Sequence, residues 1–152
     1  METRTYHLAQ LNVARLRAPL DSPLVAGFVS QLDAINAAAE RAAGFVWRMK
    51  SDDAGASRLP VADPRIVVNI SVWQTLEDLR AYVYQGEHLR PLRERAEWFE
   101  KWDDGPSLVL WWIARDTLPR VSQAFARLKY LRLHGATPRA FTFKEHFPPP
   151  TD

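Results

Sequence analysis

Cysteine is absent from the 152 residues, which excludes disulfides, zinc–thiolate sites, iron–sulfur clusters and a thiol nucleophile. Glycine is sparse: the six, at positions 27, 44, 55, 86, 105 and 135, never come closer than 11 positions. A Rossmann fingerprint or a P-loop needs clustered glycines to bring backbone N–H groups onto phosphate, so neither is present. The four histidines (7, 88, 134, 146) form no H-x-H or H-x-x-x-H pair and no G-x-S-x-G occurs, so neither a helix-borne zinc site nor a nucleophile elbow is expected. No apolar run approaches the roughly 20 residues of a membrane span, and the first eight residues lack the basic-then-apolar build of a signal peptide. The expectation is a cytoplasmic protein without a membrane partner.

An excess of one charge is lacking too. The net is +2, from 13 Lys+Arg against 15 Asp+Glu in residues 1–114 and 7 against 3 in residues 115–152. The surplus (Arg115, Arg120, Arg127, Lys129, Arg132, Arg139, Lys144) is spread around a helix and its flanks. Counterion release needs several cations on one face, so a solvated helix is expected and no nucleic-acid partner.

What is present reads as one globular domain, residues 1–147, with a proline-rich tail, 148–152. Tyr6 to Val13 alternates with period two, a strand. Asp21 or Ser22 caps a helix with Pro23 at its first position, running to about Ala43, with Val25, Phe28, Leu32, Ile35 and Ala39 as its apolar stripe and Gly44 as C-cap. Phe45 to Lys50 is a second strand, and Arg65 to Trp73 a β-branched third. Thr75 caps the next helix, which pauses near Gly86 and Pro91 and resumes through Trp102. Leu108 to Ala114 is a fourth strand. A further helix striped by Val121, Ala124, Phe125, Leu128 and Leu131 ends at Gly135, and residues 140–144 suggest a short edge strand. The order β-α-β-β-α-β with a C-terminal helix extension is the ferredoxin-like, α+β arrangement.

Strands three and four are apolar at successive positions (RIVVNISVW and LVLWWIA). A sheet with one wet face alternates instead. On the premise that helices of the same chain cover only one face, the other calls for a second subunit packed sheet to sheet, a homodimer.

Polar groups interrupt these greasy strands. By parity Asn69, Ser71 and Trp73 share one face of strand three, and Gln10 and Asn12 share a face of strand one. A buried amide left without partners costs about 1–3 kcal/mol, so Asn69 either bonds a structural neighbour or faces a cavity with a polar ligand. His88 lies on or beside the helical stripe Leu92, Ala96 and Phe99, with an unperturbed pKa near 6.5 suited to proton transfer or haem ligation. Six tryptophans, at 47, 73, 98, 102, 111 and 112, provide flat apolar walls.

The runs YHLAQLNVARLRAPLDSPLVAGFV, GFVWRM, VVNISVWQTLEDLRAYVY, HLRPLRERAEWFE, LVLWWI and AFTFKEHFPPP resemble the small bacterial proteins grouped as domain of unknown function 3291. The resemblance spans nearly the whole chain. It implies the dimeric α/β barrel superfamily, whose relatives include antibiotic-biosynthesis monooxygenases and haem-degrading enzymes. By resemblance to the cofactor-free oxygenases, Asn12 and the Asn69-Ile-Ser-Val-Trp73 run line a substrate pocket and polarise a phenolic or quinol molecule. On that footing Asn69, Trp73 and His88 are the expected catalytic residues, His88 as proton acceptor, and Gln10, Asn12, Ser71 and Trp112 the substrate-binding ones.

The expected function is therefore a monooxygenase-like enzyme acting on an aromatic or polyketide-like small molecule, with no cofactor and no metal. The alternatives are a haem-binding protein or haem-dependent monooxygenase, with His88 on iron, and a small-molecule binder or auxiliary protein without chemistry.

Overall fold

The computed structural model describes residues 5–50, 63–84, 98–102 and 105–151. Its strands are β1 (Tyr6–Arg15), β2 (Phe45–Arg48), β3 (Ile66–Trp73) and β4 (Leu108–Ala114); its helices are α1 (Ala26–Arg41), α2 (Leu76–Tyr84) and α3 (Val121–His134). The strands form one antiparallel sheet in the order β2-β3-β1-β4. This is the expected ferredoxin-like α+β arrangement, with β1 and β3 at its centre.

Local signals act where they were read. Ser22 Oγ accepts from the Leu24 N–H at 3.2 Å and Pro23 opens a 3-10 turn, Pro23–Val25, that leads into α1. Thr75 Oγ1 accepts from the Asp78 N–H at 3.0 Å, satisfying one of the orphan donors of α2. Gly135, at φ 73°, ends α3, and its N–H reaches the Leu131 carbonyl at 2.8 Å.

One face of the sheet carries Ala9, Leu11, Val13, Ile70, Val72, Val109, Trp111 and Ile113, each no more than 6 % exposed. Ala124, Leu128 and Leu131 of α3 belong to the same apolar cluster. The premise that the chain's own helices cover only one face is thereby corrected. After β4 a turn closed by the Thr117 N–H on the Ala114 carbonyl, at 3.0 Å, reverses the chain, and α3 lies across the face expected to await a second subunit. The opposite face meets Leu76 and Leu79 of α2 through Leu8, Trp73 and Leu110. The strands are greasy on both sides because each side has a helical cover.

Two other expectations are revised. The second helical segment does not run through Trp102: residues 85–97 lie outside the described ones, and at Phe99 the chain is already extended, bridged to Leu16. The cause is the length of β1, which continues two residues past Val13 and whose end offers backbone groups. The Arg17 N–H reaches the Trp98 carbonyl and the Glu100 N–H the Arg15 carbonyl, both at 2.8 Å. Residues 140–144 make no strand. A single bridge, Leu110 to Phe141, holds them to the edge of β4 before a turn over Thr142–Glu145 diverts the backbone.

Candidate functional site

On the face opposite α3, two apolar clusters stand at the two ends of β1. Leu8, Trp73, Leu76, Leu79, Leu110 and Phe141 form one. Leu16, Ala18, Val25 and Trp98, with Phe28, Val67 and Phe99 against them, form the other. Between them the same face presents Gln10 and Asn12 from β1 and Asn69 and Ser71 from β3. The strand register sets them directly opposite one another, Gln10 facing Ser71 and Asn12 facing Asn69. Period-two geometry makes the four neighbours on one surface.

Gln10 and Ser71, at 4 % and 5 % exposure, are the buried polar residues among the described ones, and they bond each other. The Gln10 side-chain nitrogen donates to Ser71 Oγ at 2.7 Å and to Asn69 Oδ1. The Trp73 indole N–H donates to the same Ser71 oxygen at 2.9 Å. A hydroxyl has two acceptor sites and one proton, so the two sites of Ser71 are filled and its own proton is turned away from both donors. Burial of these groups is offset because they satisfy one another.

The relay ends at an open surface. Asn69 is exposed although it sits in mid-strand at the centre of the sheet. Its oxygen is taken by Gln10, and its Nδ2 makes no hydrogen bond among the described residues. Asn12, across from it, is half-buried and makes no side-chain hydrogen bond among the described residues. The strip therefore offers amide hydrogens to a ligand oxygen, between apolar walls.

Of the residues expected at the site, the structure unites Gln10, Asn12, Asn69, Ser71 and Trp73. Trp73 is a wall: it is 1 % exposed, its ring stacks on Tyr82 at 5.2 Å and meets the edge of Phe45 at 5.5 Å, and its N–H is spent on Ser71. Trp112 lies on the same face opposite Leu8, but its indole N–H donates to the Phe147 carbonyl at 2.9 Å. It anchors the C-terminal tail instead of lining the strip, and with Tyr6, Phe147 and Pro148–Pro150 it bounds a separate groove of about 870 Å³. His88 lies outside the described residues. Tyr82 was not foreseen; its spacing of three from Leu79 and six from Leu76 was the available signal. Burial raises the Tyr82 phenol above its ordinary pKa, so it stays protonated while its O–H donates to the Ile35 carbonyl at 3.3 Å.

Charge gathers elsewhere, at the far end of β1. Arg65 holds Asp63 through two side-chain bonds of 3.1 and 2.9 Å and reaches Glu100 at 2.8 Å. Hydrogen bonding from Arg65 lowers the Asp63 carboxyl, and the same contact raises the Arg65 guanidinium. Arg15 and Arg132 flank the Trp102 ring at 5.0 and 5.6 Å. These contacts pin residues 98–102 beside β1, next to the second apolar cluster. No group of three or more metal-ligating side chains occurs among the described residues. The strip itself, with amides, a hydroxyl and an indole, offers no axial ligand for haem iron.

A four-stranded antiparallel sheet of this order with helices packed on it is the ferredoxin-like α+β class. The family model for the domain of unknown function DUF3291 matches residues 7–152, and the chain belongs to that family. Among solved structures it is similar to PA3566 from Pseudomonas aeruginosa, at 15 % identity and a TM-score of 0.51, over 77 % of this chain and 100 % of that one. It is also similar to SnoaB from Streptomyces nogalater, a cofactor-independent oxygenase, at 19 % identity and a TM-score of 0.46, over 77 % of this chain and 100 % of that one. A Nitrosomonas europaea protein provisionally titled an antibiotic biosynthesis monooxygenase gives 14 % and 0.47, over 75 % and 94 %. The likeness to PA3566 carries the fold and not the chemistry. A search of curated proteins finds no match to the sequence.

Proposed function

We propose that the strip bounded by Gln10, Asn12, Asn69 and Ser71 binds a flat aromatic or polyketide-like molecule and that the protein is a cofactor-independent oxygenase. The observation that carries this is an exposed Asn69 in mid-sheet, its oxygen secured by a buried partner and its nitrogen left open, between two apolar clusters. Beyond satisfying each other and the Trp73 N–H, the buried glutamine and serine hold one surface asparagine, the arrangement of a group that is aimed.

Amide hydrogens from Asn69 and Asn12 would hold the substrate's carbonyl or phenolic oxygen. As a ring-activated CH2 conjugated with that oxygen loses a proton to solvent, the charge moves onto the oxygen and the held donors stabilise it. The carbanion-enolate then reacts with dioxygen. One oxygen atom becomes the new carbonyl, both hydrogens leave, and the other oxygen departs as water. Trp73 contributes a wall and acts on Asn69 only through Ser71 and Gln10. His88, expected as the proton acceptor, lies outside the described residues. Because α3 occupies the other face, the site is assigned to a single protomer.

The test is oxygen uptake with an anthrone-type substrate. Asn69→Ala is expected to lower the rate about 10²–10³-fold, the usual effect of removing one such donor, and Asn12→Ala to lower it less. Undiminished uptake in Asn69→Ala would remove the strip from the chemistry. Tight binding of the substrate without any uptake would make the protein a binder without chemistry.

A further inference from the structure

The relay behind Asn69 has a polarity, and that polarity selects what the strip accepts. A side-chain amide can present either end. The Gln10 end that points at Asn69 lies 3.5 Å from the Asn69 backbone carbonyl oxygen as well as close to Asn69 Oδ1. A backbone carbonyl cannot turn round or donate, so a nitrogen is favoured at that place over an oxygen. With nitrogen there, one hydrogen goes to Ser71 Oγ at 2.7 Å and the other to Asn69 Oδ1. The other acceptor site of Ser71 Oγ holds the Trp73 N–H, so the hydroxyl takes a hydrogen from each. The Asn69 backbone carbonyl thereby sets the end that Gln10 presents, and Gln10 sets the Asn69 amide.

Resting on the substrate site proposed above, we infer that Gln10, steadied by Ser71, is a positioning residue that keeps Asn69 Nδ2 outward, so that the strip selects ligands by an anionic or acceptor oxygen. A phenol is bound as phenolate in preference to its neutral form. A ligand that must donate finds the Asn69 oxygen already taken by Gln10.

The probe is 4-nitrophenol, whose anion is yellow, titrated with pH in the presence and absence of the protein. Wild type is expected to lower the bound phenol's pKa by about one unit, which is a tenfold tighter hold on the anion. Gln10→Met keeps the volume and removes the clamp. It is expected to lose the pKa shift, read as the ratio of anion to neutral binding, which a general weakening of the site would leave unchanged. Ser71→Ala, which loosens Gln10 without deleting it, is expected to lose part of the shift and is read in place of Gln10→Met should that variant not fold. Binding by wild type with no shift, or with the pKa raised, overturns this inference and leaves the binding site standing. A full shift in the variants also overturns it. Failure of wild type to bind the phenol at any pH overturns both this inference and the site.

Discussion

Truncation of Leu128 tests whether α3 is a structural layer of the sheet. Leu128 is 2 % exposed and belongs to the cluster of Leu11, Val109 and Trp111 on the face α3 covers. Leu128→Ala removes three buried carbons, worth about 0.8 kcal/mol each. The void left behind adds a cavity cost, which places buried Leu→Ala changes at roughly 3–5 kcal/mol in all. Leu133, in the same helix, is 68 % exposed, and Leu133→Ala is expected to cost less than about 0.5 kcal/mol. Urea unfolding followed by far-UV circular dichroism gives both values, with the slope unchanged if only stability is affected. The refuting result is equal, small losses for the two variants. α3 would then not be the cover of that face, and the eight buried strand residues beneath it would need another, which a second subunit could supply.

Three further outcomes follow from particular contacts. Ser71→Ala should destabilise the fold by about 1–3 kcal/mol in the same urea assay, because the Trp73 N–H, bonded at 2.9 Å, is left without its acceptor; Ser71→Thr, which keeps the hydroxyl, should recover most of it. Gly44→Ala should cost more than Gly135→Ala in thermal melts. Both glycines have positive φ, 82° and 73°, a backbone penalty of about 1–2 kcal/mol for alanine, but a Cβ at 44 would lie 2.1 Å from the Asp78 carboxylate whereas one at 135 meets nothing within 4 Å; equal losses would deny that β2 and the start of α2 abut there. Asp63, its pKa lowered by Arg65 from 3.8, stabilises the fold above its unfolded pKa and ceases to do so as pH falls through the lower folded value. Asp63→Asn should therefore be less stable than wild type at pH 6 and converge with it in strong acid; a deficit that persists undiminished at the acid end would show that the pairing with Arg65 is not its origin.

Much of the fold is legible locally. Ser22 before Pro23, Thr75 before Asp78 and Gly135 after Leu131 act within a few residues, so their effect survives in the linear text. Strand parity likewise placed Gln10 with Asn12 and Asn69 with Ser71, because alternation is a property of the chain alone. Helix over 99–102 was misread for the opposite reason: Phe99 is bridged to Leu16, more than 80 positions earlier, and no local preference encodes that partner. The partner of Trp112 was hidden on similar grounds. Its face was correct, but the Phe147 carbonyl, 35 positions on, claims its N–H.

From its own letters the chain declared a cysteine-free α+β domain with strands greasy on both sides and an amide-bearing patch at their centre. Only folding in three dimensions settled which layer lies on each side, since a stripe of apolar residues states that it will be covered and not by what. It also settled that a buried Gln10 and Ser71 hold one face of Asn69 while the other stays open, because hydrogen-bond polarity depends on distances between strands that sequence spacing does not contain.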